Sequence, residues 1–271
     1  MKVGVIVSAY NNAPVLRHCL LALQSQTEKD FRVIIADDGS NDSVRNLLRS
    51  PEFASLTIDH IWHEDRGFRR AHIFNKAIKE ANADYLIMTD ADCIPRNDFV
   101  ERHIMAARKK RFVSGGIINI PIPVHKQFTE EDITSNRIFD LGYLCKIDPK
   151  LSKLRLRLLR SSFWLSAMNL LTWRLAVLRG NNSAAWRDDL IAVNGFDEGF
   201  VHYGAEDRDL GIRLFNSGCY GSLQKYSIVA IHQDHAKPYC NPALAQENRN
   251  RAYWRILSRQ SWVEPGLASP H

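Results

Sequence analysis

Asp84-Tyr-Leu-Ile-Met-Thr-Asp-Ala-Asp-Cys93 decides how the rest of the chain is read. Tyr85 to Met88 is a short apolar run of the kind that forms a buried strand, and it ends abruptly in two carboxylates one residue apart, Asp90 and Asp92. Two like charges at a strand end repel each other unless a cation shares them. Carboxylate oxygens suit hard ions such as Mg²⁺ or Mn²⁺, which also hold nucleotide phosphates. A second Asp-x-Asp, Asp207-Arg208-Asp209, stands in a different setting, so the tripeptide alone decides little and the surroundings must be read.

Upstream, strand and helix patterns alternate. Val3 to Val7 is a near-continuous apolar run, as expected of a strand covered on both faces. Pro14 marks a helix start, with Leu16, Leu20 and Leu23 at helical spacing. Phe31 to Ala36 and Ile58 to Trp62 read as further strands, and helices are predicted from about Arg70 to Ala81 and from about Asn97 to Lys109. This alternation predicts an α/β fold with a parallel sheet and right-handed crossovers. Ligands on such sheets bind at the carboxyl ends of the strands. Tyr10, Asp38, His63 or Asp65, and Asp92 all fall just past such ends.

Downstream, a helix is predicted from about Glu130 to Leu144. Gly180 to Trp186 reads as a turn leading to a helix, Glu206 to Asn216 as a helix ended by Ser217-Gly218, and Tyr226 to Ile231 as a late strand ending in His232. Pro242 to Arg259 reads as a surface helix, and the last ten residues are expected to be frayed. Between these, residues 150–179 interleave basic and apolar side chains, among them Lys150, Lys153, Arg155, Arg157, Arg160, Leu151, Leu159, Phe163, Trp164 and Trp173. Three readings fit this segment: an amphipathic surface lying on anionic lipid, a helix pair with its arginines in solvent, or a site for an acidic glycan.

The 271 residues are 45% hydrophobic and 24% charged with a formal net charge of +6. That is a globular composition with a bias toward anionic partners. The five cysteines are scattered, without a Cys-x-x-Cys pair, so a reducing compartment is expected. No apolar run reaches the ~18 residues of a spanning helix, and the N-terminus reads as a strand and not as a leader. A cytoplasmic location, peripheral on the inner face of the membrane if residues 150–179 touch lipid, follows as an expectation. No nucleic-acid-binding motif occurs, nor the Gly-x-Gly-x-x-Gly of a dinucleotide oxidoreductase.

The ordered set Val3-Gly-Val-Ile-Val-Ser-Ala-Tyr-Asn11, Gln24-Ser-Gln-Thr27, Ala36-Asp-Asp-Gly-Ser40 and Thr89-Asp-Ala-Asp92 resembles the family 2 glycosyltransferases. Gly180-Asn-Asn-Ser-Ala-Ala-Trp-Arg, Gly195-Phe-Asp-Glu and Tyr203-Gly-Ala-Glu-Asp207 are similar to the acceptor region of β-1,4-galactosyltransferases and chondroitin-polymerase-type enzymes, and His63 to Phe68 with Asn75 to a donor-side segment of the same group. The resemblance implies a GT-A fold: a Rossmann-like, mostly parallel sheet flanked by helices, with a nucleotide-sugar half over 1–115, an acceptor and catalytic-base half over 116–235, and a helix and tail over 236–271. It implies an inverting transfer, dependent on Mn²⁺ or Mg²⁺, of a hexose or N-acetylhexosamine from a UDP-sugar to a glycan or lipid-linked hydroxyl, for cell-surface polysaccharide or lipopolysaccharide assembly.

Residue by residue, the resemblance implies that Asp38 contacts the uracil beside Ala9 and Tyr10, with Asn11, Asp65, Arg70 and Asn75 on the same donor side. Asp90 reaches the ribose or the metal, and Asp92 binds the metal with His232 or alternatively His235. Asp207 is the general base and Glu206 fixes the acceptor sugar, with Tyr203, Trp186 and Asn182 around it. Each of these residue types also has a structural reading. Asp38 suits a turn, Asp90 and Asp92 a helix cap, Glu206-Asp207 an acidic first turn, and Trp186 and Tyr203 a core. A sugar-1-phosphate nucleotidyltransferase is the competing enzyme, but Ser8-Ala-Tyr-Asn-Asn12 lacks the Gly-rich, basic loop that grips a triphosphate. A non-catalytic nucleotide-sugar or membrane-binding module is the third reading.

Overall fold

The computed structural model describes residues 1–158, 162–171, 176–235 and 241–269. In chain order the elements are β1 (Val3–Ala9), α1 (Ala13–Gln24), β2 (Arg32–Asp37), α2 (Asp42–Leu48), β3 (Ile58–Trp62), α3 (Arg70–Glu80), β4 (Tyr85–Asp90), β5 (Cys93–Pro95), α4 (Phe99–Ala106) and β6 (Arg111–Ile120). There follow α5 (Ile122–His125), α6 (Glu130–Thr134), α7 (Leu141–Ile147), α8 (Ser162–Leu170), β7 (Asn182–Trp186), α9 (Arg187–Ala192), α10 (Glu206–Asn216), β8 (Tyr220–Gln233) and α11 (Pro242–Ser258).

The eight strands form one sheet in the order β3-β2-β1-β4-β7-β6-β8-β5. The first four are parallel, β7 runs antiparallel between β4 and β6, β8 is parallel to β6, and β5 is antiparallel to β8. The unbroken apolar runs are explained by burial on both faces. Val5, Val7, Ile35 and Ile87 belong to a cluster with Leu16 and Leu20 of α1, whereas the alternate residues Ile6, Ile34 and Met88 pack with Phe74 of α3 and Leu210 and Leu214 of α10. The chain turns away from β1 to β2 on one side and reaches β4 on the other. The carboxyl ends of these strands therefore flank the point where strand order reverses, which leaves a crevice for ligand.

Three expectations needed correction, and one strand had not been anticipated. Asn182 to Trp186 is a strand and not a turn, and the expected helix follows it directly as α9. The strand's small side chains, Ser183, Ala184 and Ala185, are buried between β4 and β6, and pairing with two neighbours outweighs local propensity. β6 had no counterpart in the sequence reading. It contains Gly115 and Gly116 at a bulge, where a Cβ on Gly116 would meet the Lys225 carbonyl at 2.0 Å. The helix expected from Glu130 to Leu144 breaks where Asn136 adopts a left-handed conformation (φ 60°), and Asp140 caps a new helix by accepting from the Tyr143 N–H. The tail expected to fray is docked: Val263 is buried, and the Asn194 side chain donates to the Val263 carbonyl (2.7 Å) and accepts from the Ala268 N–H (2.7 Å). β6 crosses residue 115, so both expected halves share the one sheet.

Candidate active site

The β8–β5 pairing sets Cys93 opposite His232 and so brings the end of β8 beside Asp92. Asp92 Oδ2 lies 3.3 Å from His232 Nε2 and 2.9 Å from His235 Nε2. The ligand atoms of all three residues lie within 4.8 Å of one another. The sequence left His232 and His235 as alternatives; the turn after β8 brings both to the same carboxylate. Burial works against charge on Asp92, but the two imidazoles outweigh it and hold its carboxyl below the usual range. One carboxylate oxygen and two imidazole nitrogens on a converging triangle form a donor set suited to a first-row divalent ion.

A second set of charges continues from Asp90. Arg70, at the start of α3, donates from Nη2 to Asp90 Oδ1 (2.7 Å) and from Nη1 to Glu206 Oε1 (3.2 Å). It therefore joins the end of β4 to the first residue of α10. Burial opposes the guanidinium charge, but Asp90, Glu206 and Asp207 outweigh it and raise the group above its ordinary value. Burial pushes the Asp90 carboxyl up, against the pull of Arg70, and both Asp92 and Asp207 add repulsion, so residues far apart in the chain act on one group. Glu206 is pushed up to about 7 by burial, with Arg70 lowering it and Asp207 raising it. Ala205 enters α10 at φ 72°, a left-handed conformation costly for a residue with a Cβ.

Asp207 is held by backbone, accepting at Oδ2 from the Gly180 N–H (3.0 Å). Gly180 is where Arg70 crosses: a Cβ there would lie 2.2 Å from Arg70 Nη2. Nothing in the spacing of residues 70, 180 and 207 signals this; it follows from β7 running back along β4, which returns residue 181 to the Thr89 hydroxyl (3.2 Å to its carbonyl).

At the other side of the crevice, Asp38 Oδ1 lies 2.7 Å from His63 Nε2 and Oδ2 accepts from the Arg69 N–H (3.0 Å). The Asp38 N–H donates to the Ala9 carbonyl (3.0 Å). Exposed Tyr10 donates its hydroxyl to Asp65 Oδ2 (3.0 Å), and Asn11, in a left-handed conformation, joins the Ser40 hydroxyl and the Asn41 N–H. The sequence offered His63 or Asp65 as residues at a strand end. Both are used, His63 on Asp38 and Asp65 on Tyr10.

Residues 4–154, more than half of the chain, match the family model described as glycosyl transferase family 2. The chain belongs to glycosyl transferase family 2. Residues 170–233 also match the model described as the N-terminal domain of galactosyltransferase. The glycosyltransferase is 32% identical over 266 residues to the uncharacterized glycosyltransferase YfnE of Bacillus subtilis, covering 87% of this chain and 65% of that one. It is 26% identical over 239 residues to the chondroitin synthase of Escherichia coli, covering 85% of this chain and 34% of that protein, and 29% identical to a validoxylamine A glucosyltransferase of Streptomyces hygroscopicus subsp. jinggangensis, covering 85% and 56%. The chain thus spans about a third to two thirds of these relatives.

Among solved structures, the mannosyltransferase PcManGT from Pyrobaculum calidifontis in complex with GDP-Man and Mn²⁺ matches at a TM-score of 0.59 and 18% identity, over 95% of this chain and 72% of that one. S. aureus TarS 1-349 in complex with UDP-GlcNAc matches at 0.58 and 14%, over 95% and 67%. These likenesses establish the GT-A fold.

Within this glycosyltransferase three expected site residues turn out to serve the scaffold. Asn182 is fully buried. Its Nδ2 donates to the carbonyls of Gly116 (2.9 Å) and Ile228 (3.2 Å), and its Oδ1 lies 3.1 Å from His103 Nε2, so it plugs the sheet at the β6 bulge. A Cβ on Gly115 would strike its side chain at 2.2 Å. Trp186 pairs with Tyr85 at the opposite end of β4 from Asp90 and donates to the Arg108 carbonyl (2.9 Å). Asn75 is buried, bonded to both the N–H (2.7 Å) and the carbonyl (2.9 Å) of Phe196, and so pins the loop after α9 onto α3 without facing the nucleotide crevice. Tyr203 stays at the cleft, half-buried and edge-on to Phe68.

Proposed function

We propose that this glycosyltransferase is inverting and metal-dependent, moving a hexose or N-acetylhexosamine from a UDP-sugar to a hydroxyl of a glycan or lipid-linked acceptor. The supporting observation is that Asp90, repelled by Asp92 on one side and Asp207 on the other, connects the Asp92–His232–His235 triangle to the first turn of α10. The nucleotide sugars bound by PcManGT and TarS, and the chondroitin synthase among the relatives, point the same way. Lipopolysaccharide or polysaccharide assembly, at the inner face of a membrane, belongs to the same proposal.

Asp92, His232 and His235 would hold the ion; their two imidazoles favour Mn²⁺ over Mg²⁺, which prefers an all-oxygen shell. When bound, such an ion neutralises the charge of a leaving diphosphate. Asp38 reads the nucleobase at the β1–β2 edge, with Tyr10 and Asp65 forming its rim. Asp207 takes the proton of the acceptor hydroxyl as the new bond forms. The Gly180 N–H aims that carboxylate. Arg70 holds Glu206 toward Asp90, so an acceptor hydroxyl bonded to Glu206 is presented next to the donor side.

The test is UDP release from a panel of UDP-sugars with Mn²⁺, with Asp207→Asn as comparison. A fall of about 10²- to 10⁴-fold in kcat with donor KM little changed is expected; a variant transferring at full rate removes Asp207 from the role of base. Failure of every nucleotide sugar to stabilise the protein thermally counts against the donor assignment.

A further inference from the structure

We propose that the cleft between residues 199–202 and the C-terminal helix α11 is a saccharide subsite that grips the acceptor chain beyond the sugar being modified; this deepens the acceptor assignment above and rests on it. The cleft has a volume of about 650 Å³, within the range of roughly 300–1,000 Å³ usual for small-molecule sites. One wall is the loop that carries Val201 and His202 and continues within five residues to Glu206 and Asp207. The other wall is a single stripe of α11, with Glu247, Asn248, Arg251 and Trp254 recurring at helical spacing.

The side-chain chemistry matches a sugar. A pyranose presents an apolar C–H face and a rim of hydroxyls. Trp254 is 57% exposed and offers an aromatic face, while Glu247, Asn248 and Asn250 offer carboxylate and amide groups to hydroxyls.

The walls are preformed. Arg251 contacts both oxygens of fully buried Asp197 (2.8 and 3.0 Å from Nη2), and Arg255 Nη2 reaches the same carboxylate at 2.8 Å. Arg255 Nε also bonds Asp209 of α10 (3.1 Å), and Asn248 donates to the His202 carbonyl (3.0 Å). Little ordering remains to be done on binding. The cleft adjoins the acceptor side through its loop wall, where Val201 and His202 precede Tyr203, Glu206 and Asp207. On this proposal a chain lying in the cleft has its terminus toward Tyr203 and Asp207.

The experiment measures binding of chondroitin, hyaluronan, cello- and malto-tetrasaccharides, and of the matching monosaccharide methyl glycosides, to the full chain by saturation-transfer NMR and calorimetry. At least one tetrasaccharide is expected to bind about tenfold or more tightly than its monosaccharide. Trp254→Ala and Glu247→Gln are expected to erase that advantage while the thermal midpoint stays unchanged. Equal affinity for tetrasaccharides and monosaccharides, absence of tetrasaccharide binding, or full affinity retained in both variants overturns the proposal. Tetrasaccharide binding that depends on Trp254 in a protein that turns over no UDP-sugar sustains the cleft and counts against the transfer reading instead.

Discussion

Glu206 sits where burial and charge oppose each other, and this gives the protein a pH signature. Its carboxyl is raised from 4.5 to about 7 chiefly by burial, Arg70 offsetting part of the effect. The native state then keeps a proton that the unfolded chain has already released, so stability falls as pH climbs from 4.5 toward 7 and levels off above it. Glu206→Gln removes this slope: thermal midpoints of wild type and variant, measured from pH 4 to 8, are expected to diverge across that window, and parallel curves would refute the assignment. Gly180 is the other decisive residue. In Gly180→Ala the new methyl occupies the place of Arg70 Nη2, so the guanidinium must leave Asp90 or Glu206. Turnover is expected to drop on the order of 10²-fold in a folded protein, since misplacement of a reacting group by about 1 Å costs that much. Steady-state kinetics with circular dichroism checks both halves of the statement.

Among elements, α11 matters most beyond the sheet. It lies past the residues matched by either family model, yet Arg251 and Arg255 neutralise Asp197 and Asp209, and Arg213 completes the set from α10 (2.6 Å to Asp209 Oδ2). These carboxylates are fully buried, and removing Arg255 takes one charged hydrogen-bond partner from each while Arg251 and Arg213 remain. Arg255→Met is expected to lower stability by about 1.5–3 kcal/mol, read as a shift in the urea midpoint. A shift below about 1 kcal/mol would show that the helix merely rests on α10. The pairing was hidden in the sequence because the partners lie 46 and 58 residues apart and carry no shared motif. β7 illustrates a different kind of concealment. Its alanines and serine have no strand preference of their own, and only two waiting neighbours make a strand of them.

At the scale of the whole molecule, the charge triangle and the basic surface make separate predictions. Mn²⁺ at a hundredfold excess over its dissociation constant stabilises the native state by about 2.7 kcal/mol. Differential scanning calorimetry is expected to show an upward shift with Mn²⁺ that EDTA reverses and that His232→Ala/His235→Ala abolishes; an unchanged shift in that variant would move the metal elsewhere. No helix among the described residues is long and apolar enough to cross a membrane. The basic segment 150–179 nevertheless exposes Trp164, Leu170 and Leu171 among its described residues, whereas Leu151 is buried, Leu159, Arg160 and Trp173 lie outside the described residues, and of the Phe163 side chain nothing is described. Co-sedimentation with anionic vesicles that weakens with added salt is expected; equal binding to neutral vesicles, or none, rejects a lipid-facing role.

Local pattern by itself determined the alternating β/α half, the strand-end carboxylates and the family, because burial on both faces of a parallel strand writes a continuous apolar run and a strand end exposes whatever follows it. Only the tertiary structure decided that His232 and His235 both meet Asp92, that Asn75, Asn182 and Trp186 are bonded into the scaffold, and that Arg70, Gly180 and Asp207 meet. Those outcomes depend on strand order and on the antiparallel return of β7. Pairing between distant segments is a property of the packed sheet and leaves no periodicity in the chain.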